Sequence, residues 1–558
     1  MRDAERELET GIRRRDALHT LLGSAALVVT GVAAPLPVRA AMATASARPN
    51  IILIVSDQHR AGLSKAAGYP FDTSPRFDRL VRSGASFANS YATAPLCVPS
   101  RISMLTGRWP DAHRVRMNLA AKDAVYGQDL YDVAKTAGYR TGLAGKNHTY
   151  RTSTSLDFWR EYEHVDGYRP PNAPPEYAAF DAWMHALGGG AVSLEPTPFP
   201  LEIQYPYRIV SDAIDFIDDA EHRPFLLQVS FPEPHAPQQI PKPYWDMFPP
   251  DAVPPRAAGP EALAGLGFRA RWLFDLEQRA EHPDGANWRR YVSNYLGALR
   301  MVDDQLTRLL AHLDQRGLTD NTIIVYTADH GDYVMDYGLG RKGVGLCEPL
   351  TRIPLVFAGG GVKPLSKLDD IFLSNADIMP TLCEAMGQPI PIGVQGRSIW
   401  PILRGEAYPA EEFRSIYSGV GVGGLYYDEG DAPPAKPKAG SAASADDGLG
   451  GDTLNKVTQS GNQKMVRMGS WKLIYDGFGY GQLYDLERDP HELRNVFGAT
   501  AALARQNLLM AELAMWTIRV QDSLPTGPQN RKYHTKWPSN HNWLSPYRRA
   551  PANSAFAP

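Results

Sequence analysis

The run NIILIVSD, Asn50–Asp57, decides the fold. Ile51 to Val55 are five successive β-favouring apolar residues with no polar residue among them, so neither face of the run suits water. That pattern predicts a strand covered on both sides. Four further runs read alike: YRTGLAGK (139–146), FLLQVSF (225–231), NTIIVYTADHG (321–331) and RIPLVFAGG (352–360). Between two of them, Val292, Leu296, Leu299, Val302, Leu306, Leu309 and Leu313 recur every three or four residues, which predicts a helix from Asn287 to Arg316 stopped by Gly317. Strand, helix, strand repeated in this way argues for an α/β domain with a large, mostly parallel sheet flanked by helices.

Composition agrees with a soluble folded chain: 558 residues, 43% hydrophobic, 21% charged, net charge −3. With no basic block in the folded part, nucleic acid is not an expected partner; a small molecule or a saccharide is. Cys97, Cys347 and Cys383 are too few for a disulfide framework, and the last two read as inert core residues.

Arg13 to Arg15 precede an apolar run that ends in small residues, the layout of an export signal of twin-arginine type spanning residues 1–45. Cleavage would follow Ala40 or Ala45, and the alternative is an uncleaved anchor. The expected partner is then the twin-arginine translocase, and the expected location the periplasm or the exterior of a bacterium. Residues 46–405 are expected to form the main domain. Residues 406–530 are expected to form a smaller C-terminal α/β subdomain, containing a plausible hairpin pair and a helix from Thr500 to Val520. The Pro-, Gly-, Ala- and Ser-rich stretch 427–463 reads as a mobile insertion, and 531–558 as a polar, aromatic tail. NADIMPTLCEAMG (375–387) reads as a helix closing the main domain. Trp159, Tyr162, Tyr168, Tyr177 and Trp183 are read as packing or as the wall of a sugar cleft.

In an open parallel sheet, ligands gather beyond the carboxyl ends of the strands. Here those ends carry Asp57-Gln58-His59, Lys146-Asn147-His148, Pro234-His235 and Asp329-His330. Asp57, Asp329 and His330 are oxygen and imidazole donors suited to calcium, magnesium or manganese. Arg101, Lys146 and Lys342 are cations suited to a tetrahedral oxyanion. A metal ion within a ring of cations points to a sulfuryl or phosphoryl ester.

LCVPSRISMLTGR (96–108) resembles the signature of the formylglycine-dependent sulfatases of the alkaline phosphatase superfamily. GYRTGLAGKNH (138–148), FPEPHAP (231–237), TADHGDYVMDYGLGRKG (327–343) and the closing WKLIYD and GQLYDLERDPHELRN resemble further family motifs, so the likeness spans about Asn50 to Val496. The resemblance implies that a formylglycine-generating enzyme converts Cys97 to an aldehyde, hydrated as a geminal diol. It implies that this residue, with Asp57, Asp329 and His330, binds one divalent ion, calcium before manganese or magnesium. It further implies that Arg101 holds the diol, Lys146 and Lys342 the sulfate, that His148 is a base and that His235 is the acid serving the leaving alcohol. The implied reaction is hydrolysis of a sulfate monoester to an alcohol and sulfate. Gln58 stands where many members have a second aspartate, a variation shared with choline sulfatases and phosphonate monoester hydrolases. Loss of that charge keeps a phosphonate or phosphate ester hydrolase as an alternative reading. A non-catalytic binder of sulfated glycans is the alternative outside the enzymes.

Overall fold

The computed structural model describes residues 48–423, apart from 119, 189, 221–222, 268–269, 272, 275–283, 344 and 366–367, together with residues 461–521. The expected export segment, residues 427–460 of the expected insertion and the tail at 531–558 lie outside the described residues. Residues 461–463 are described, and they correct the expected insertion boundary. Gly461 takes φ 77° and opens a strand in which Gln463 pairs with Val420, so regular structure resumes there.

The strands are β1 (Asn50–Asp57), β2 (Ala85–Ser86), β3 (Asn89–Tyr91), β4 (Arg140–Gly145), β5 (Phe158–Glu161), β6 (Phe225–Pro234), β7 (Thr322–Ala328), β8 (Leu355–Ala358), β9 (Phe372–Ser374), β10 (Ser415–Gly423), β11 (Gly461–Met468), β12 (Trp471–Asp476) and β13 (Gly481–Asp485). The main sheet has the order β2-β8-β7-β1-β6-β4-β5. Within it β7, β1, β6, β4 and β5 are mutually parallel, with Ile52 opposite both Leu227 and Ile324. RIPLVFAGG does form a strand, but β8 runs antiparallel to β7. The link from β7 to β8 holds only short turns and the four-residue helix Glu348–Thr351. Without a long crossover helix, the chain re-enters the sheet at the edge where it left, and its direction reverses.

The helices that matter here are α1 (Pro75–Ser83), α2 (Cys97–Thr106), α3 (Leu130–Thr136), α4 (Tyr205–Asp218), α5 (Asp284–Gln315), α6 (Ile378–Ala385) and α7 (Leu503–Val520). Alternate residues of β1 enter two different cores, which accounts for its unbroken apolar run. Ile51, Leu53 and Val55 join a cluster with Met104 and Leu105 of α2, Leu130 of α3 and Ile378 of α6. Ile52 and Ile54 face Ile209 and Phe216 of α4 and Val302, Leu306 and Leu309 of α5. At roughly 1.5–3 kcal/mol per fully buried Ile, Leu or Val, this strand alone supplies on the order of 10 kcal/mol of gross stabilisation.

Helix α5 begins in earnest after Asn287, whose φ of −110° and ψ of 19° break the preceding turn. Its apolar stripe splits: Val292, Leu296 and Leu299 pack with Phe248 and Val334, and the later residues pack on the sheet. The C-terminal part is a four-stranded antiparallel sheet, β10-β11-β12-β13, covered by α7. It shares a core with the main domain through Tyr91, Trp109, Leu346 and Phe372. Among the described residues no helix is long and apolar enough to cross a membrane.

The segment at 159–183 resolves toward packing. Tyr162 is buried, and Tyr168, Tyr177 and Trp183 pack on the core that holds α4. The Arg208 guanidinium stacks 3.7 Å from the Tyr177 ring. Cys347 and Cys383 are buried, and burial pushes both thiols up to about 12.

Candidate active site

The site is built at the carboxyl ends of β1, β4, β6 and β7, closed from above by the first turn of α2. Strand β1 delivers Asp57, β4 is followed directly by Lys146, β6 by His235 and β7 by Asp329 and His330. Close approach of β4 and β6 requires a glycine. Gly145 has φ 115°, and a β-carbon there would lie 1.9 Å from the Ser230 carbonyl oxygen. The chain then turns so that the Lys146 N–H donates to that carbonyl at 2.8 Å.

Cys97 is the first residue of α2, every residue of which is buried. No side chain of Leu96 caps the helix; instead Asn118 Oδ1 accepts from the Val98 N–H at 3.1 Å. The thiol therefore sits at the positive end of a helix dipole. Cys97 Sγ lies 3.6 Å from Asp57 Oδ1, 3.2 Å from His330 Nε2 and 3.2 Å from Lys342 Nζ. Burial and Asp57 push the thiol up, but Lys146, Lys342 and His330 prevail and hold it well below the usual thiol range. The pocket thus stabilises negative charge on the side chain of residue 97.

Around it the cations and carboxylates interlock. Lys146 Nζ is hydrogen-bonded to Asp57 Oδ2 and, at 2.6 Å, to His164 Nε2. Arg101 Nε donates to Asp329 Oδ2 at 2.7 Å and Nη1 to Ser230 Oγ at 2.8 Å, while Nη2 is buried without a hydrogen bond to any described residue and lies 3.9 Å from Asp57 Oδ2. Lys342 Nζ also contacts Gln58 Oε1 at 3.1 Å and His235 Nε2 at 2.9 Å. Burial would raise the Asp57 carboxyl, but Lys146, His235, His164 and Arg101 hold it well below the usual carboxylate range.

Asp57, Cys97, Asp329 and His330 form one cluster whose donor atoms all lie within 4.8 Å of one another. His330 Nε2 is 3.7 Å from Asp57 Oδ1 and 3.9 Å from Asp329 Oδ1. Neighbouring donors on a hard cation, each roughly 2.4 Å from it, stand about 3.4 Å apart, so this donor set fits such an ion. His330 Nδ1 is hydrogen-bonded to the Gly331 carbonyl at 2.8 Å, which fixes the ring so that Nε2 faces the cluster and Cys97 Sγ.

Gln58 occupies a left-handed conformation, φ 65°, uncommon outside glycine. Its Nε2 donates to Asp332 Oδ2, which fixes the amide so that Oε1 faces Lys342. Asp332 is held in turn by the Tyr291 hydroxyl and the Val334 N–H.

His148 and His235 lie on either side of His164: ring centroids are 5.2 Å apart for His148 and His164, and 4.0 Å for His164 and His235. The His235 Nδ1 hydrogen donates to the Ala236 carbonyl at 2.6 Å, so Nε2 accepts from Lys342. Burial, His164 and Lys342 hold His235 well below its ordinary value. His148 is raised: burial and Lys146 lower it, but interactions with Cys97 and Glu163 outweigh them. Glu163 is brought to about 2, its burial being overcome by His148. His164 is brought to about 4, by burial first and Lys146 second.

The fold thus gathers Asp57, Cys97, Arg101, Lys146, His148, His235, Asp329, His330 and Lys342 into one pocket. Two residues at the strand ends turn elsewhere. His59 Nδ1 meets the Tyr326 hydroxyl in the core at 3.0 Å, and Asn147 donates to the Arg151 carbonyl of its own loop. Glu163, His164, Gln58's partner Asp332 and Ser230 escaped the reading of the sequence. Glu163 and His164 follow β5, so the strand-end rule would have found them had FWRE been read as a strand.

A family model described as Sulfatase matches residues 49–388. The chain is 28% identical over 504 residues to the multifunctional alkaline phosphatase superfamily protein PehA of Trinickia caryophylli, covering 82% of this chain and 93% of that protein. It is 26% identical to the choline-sulfatase of Rhizobium meliloti, covering 87% and 90%. Its fold matches that of the phosphonate monoester hydrolase of Agrobacterium radiobacter with a TM-score of 0.66 at 23% identity, covering 85% of this chain and 96% of that one. Matched by the model over more than half of its length, the chain belongs to the sulfatase family and, with it, to the sulfuric ester hydrolases.

Proposed function

We propose that the protein hydrolyses a sulfate monoester to an alcohol and inorganic sulfate, with residue 97 carried as formylglycine. A divalent cation, calcium before manganese or magnesium as the family resemblance implies, would be held by Asp57, Asp329, His330 and residue 97. The observation that carries this reading is the position of the Cys97 side chain, within 3.6 Å of Asp57, His330 and Lys342 in a pocket that favours negative charge. The hydrated aldehyde supplies a self-regenerating hydroxyl nucleophile and the cation supplies Lewis-acid stabilisation of sulfate oxygens, a contribution of several kcal/mol.

The chain's own residues do the rest. Arg101 orients the side chain of residue 97, and its buried Nη2, which makes no hydrogen bond among the described residues, is a donor left over for that task. Lys146 and Lys342 offer ammonium groups to the sulfate oxygens, each hydrogen bond contributing roughly 1.5–3 kcal/mol. His148 takes a proton from residue 97, and the His235–Lys342 pair gives one to the departing alcohol. Because His235 as found is neutral at Nε2 and accepts from Lys342, the proton it delivers is drawn from that lysine.

Gln58 supports a second reading with the same machinery, hydrolysis of phosphonate or phosphate monoesters. An amide in place of a carboxylate leaves the pocket less negative and better able to admit a more highly charged group. The protein named PehA is described as multifunctional, which fits such breadth. Export of the enzyme through the twin-arginine pathway, after modification by a formylglycine-generating enzyme, rests on the sequence of residues 1–45 and 97–101.

The test is a rate comparison of cation-loaded, aldehyde-bearing protein on an aryl sulfate, a phosphonate monoester and a panel of sulfated sugars. The proposal expects sulfate esters to have the highest kcat/KM. A phosphonate preference would favour the second reading, and binding of sulfated sugars without turnover of any ester would contradict both.

A further inference from the structure

We propose that Glu163 is a positioning residue for His148, a role that rests on the reading of His148 as the base. The motifs read in the sequence give this carboxylate no part.

The pairing comes from two adjacent strand ends. Strands β4 and β5 are parallel, with Gly145 opposite Glu161, so the loops that follow them leave the sheet side by side. His148 is three residues beyond β4 and takes a left-handed φ of 47°; Glu163 is two residues beyond β5. Glu163 Oε2 lies 2.9 Å from His148 Nε2. An ionised carboxylate can only accept, so Nε2 carries the ring proton and Nδ1 carries the lone pair. Nδ1 is buried without a hydrogen bond of ordinary geometry to any described residue; besides Glu163, the ring interacts favourably with the Cys97 side chain.

A buried lone pair without a donor is costly for a structural histidine and is what a base needs. The carboxylate secures it in two ways. It fixes the tautomer, and it stabilises the imidazolium formed when Nδ1 takes a proton from the side chain of residue 97. The proton stays on the imidazole; Glu163 remains ionised throughout.

The same neighbourhood offers one rival, which the metal-binding readout below separates. Donor atoms of His148, Glu163 and His164 lie within 4.8 Å of one another and could be read as a second cation site. Lys146 places its ammonium 2.6 Å from His164 Nε2 and also bonds Asp57, whose Oδ2 is itself 3.3 Å from that ring nitrogen.

The test uses Glu163→Gln, Glu163→Ala, His148→Ala and the Glu163→Ala/His148→Ala double variant of the full chain. On an aryl sulfate, Glu163→Ala should lower kcat by about 10- to 100-fold, with KM within roughly twofold of wild type. Glu163→Gln, which keeps an acceptor and loses the charge, should fall between wild type and Ala. In the His148→Ala background the same substitution should cost nothing further. A second readout needs no turnover. In histidine-selective 15N NMR of protein retaining Cys97 as a thiol, His148 should be the Nε2–H tautomer, and Glu163→Ala should mix in the Nδ1–H form.

Wild-type kcat in Glu163→Ala, an undiminished loss in the His148→Ala background, or an unchanged tautomer would each overturn the proposal. So would a zinc ion bound stoichiometrically at this cluster in cation-saturated wild type and lost in Glu163→Ala with kcat unaffected. An inactive wild-type enzyme would instead refute the reading of the function, while the tautomer measurement would still decide the role of Glu163.

Discussion

At the scale of single residues, the site is a balance of charge around residue 97. Two buried carboxylates, Asp57 and Asp329, are offset by Arg101, Lys146 and Lys342, so the site sets groups of both signs against one another. Cys97→Ser should bind substrate but lose steady-state turnover, because a serine cannot expel sulfate by breaking its own C–O bond; multiple turnovers at the wild-type rate would contradict the nucleophile's assignment. His235→Ala should depress hydrolysis of alkyl sulfates with poor leaving groups about 100-fold, yet barely affect activated aryl sulfates, since only the former need a proton donor. Equal losses on both, measured as kcat/KM, would remove His235 and its Lys342 partner from that step. Gln58 is the residue at which sequence alone was least informative. The departure from aspartate was visible, but its anchoring by Asp332 and Lys342 depends on a loop some 270 residues away and carries no local signal.

At the scale of elements, strand ends matter more than strand interiors. The parallel strands were legible because burial on both faces forces continuous Ile, Leu and Val, and the chemistry was legible because it follows those runs directly. Strand β5 was not, since FWRE is only half-buried at the sheet edge and shows no apolar run. The direction of β8 was hidden too, because direction is set by the connection and not by the strand's own composition. The start of α5 fell close to where its apolar periodicity put it, and α6 lies within the stretch 375–387 read as a helix. The most sensitive backbone position is the end of β4. Gly145→Ala would drive a methyl group into the Ser230 carbonyl and force a non-glycine residue to φ 115°. We expect it to cost at least about 2–3 kcal/mol in chemical denaturation and to displace Lys146. Full stability and activity in that variant would show that β4 and β6 can separate without harm.

At the scale of the whole molecule, the C-terminal sheet is bound to the catalytic domain by a buried ionic cluster as well as by a shared core. Lys472 of β12 lies 3.0 Å from Glu348 and 2.9 Å from Glu492, and Glu348 also accepts from the Tyr91 hydroxyl and Arg467. Burial raises Glu348, but Lys472, Arg467 and Arg352 more than reverse it, bringing it to about 2. Lys472→Met would leave two buried carboxylates short of a counter-charge, a defect of roughly 3–5 kcal/mol. Thermal unfolding should therefore shift several degrees downward, and an unchanged Tm would mean that the apolar core alone holds the subdomain. None of this cluster was legible beforehand, because its members come from four distant segments and each looks like an ordinary surface charge in sequence.

Catalysis depends on the chemical state of residue 97, which mass spectrometry of the peptide containing it reads out. In protein made with a formylglycine-generating enzyme, that peptide should be lighter by the exchange of sulfur for oxygen and the loss of two hydrogens, and hydrolysis of sulfate esters should rise in proportion to the converted fraction. Full turnover from protein whose Cys97 remains entirely a thiol would contradict that dependence.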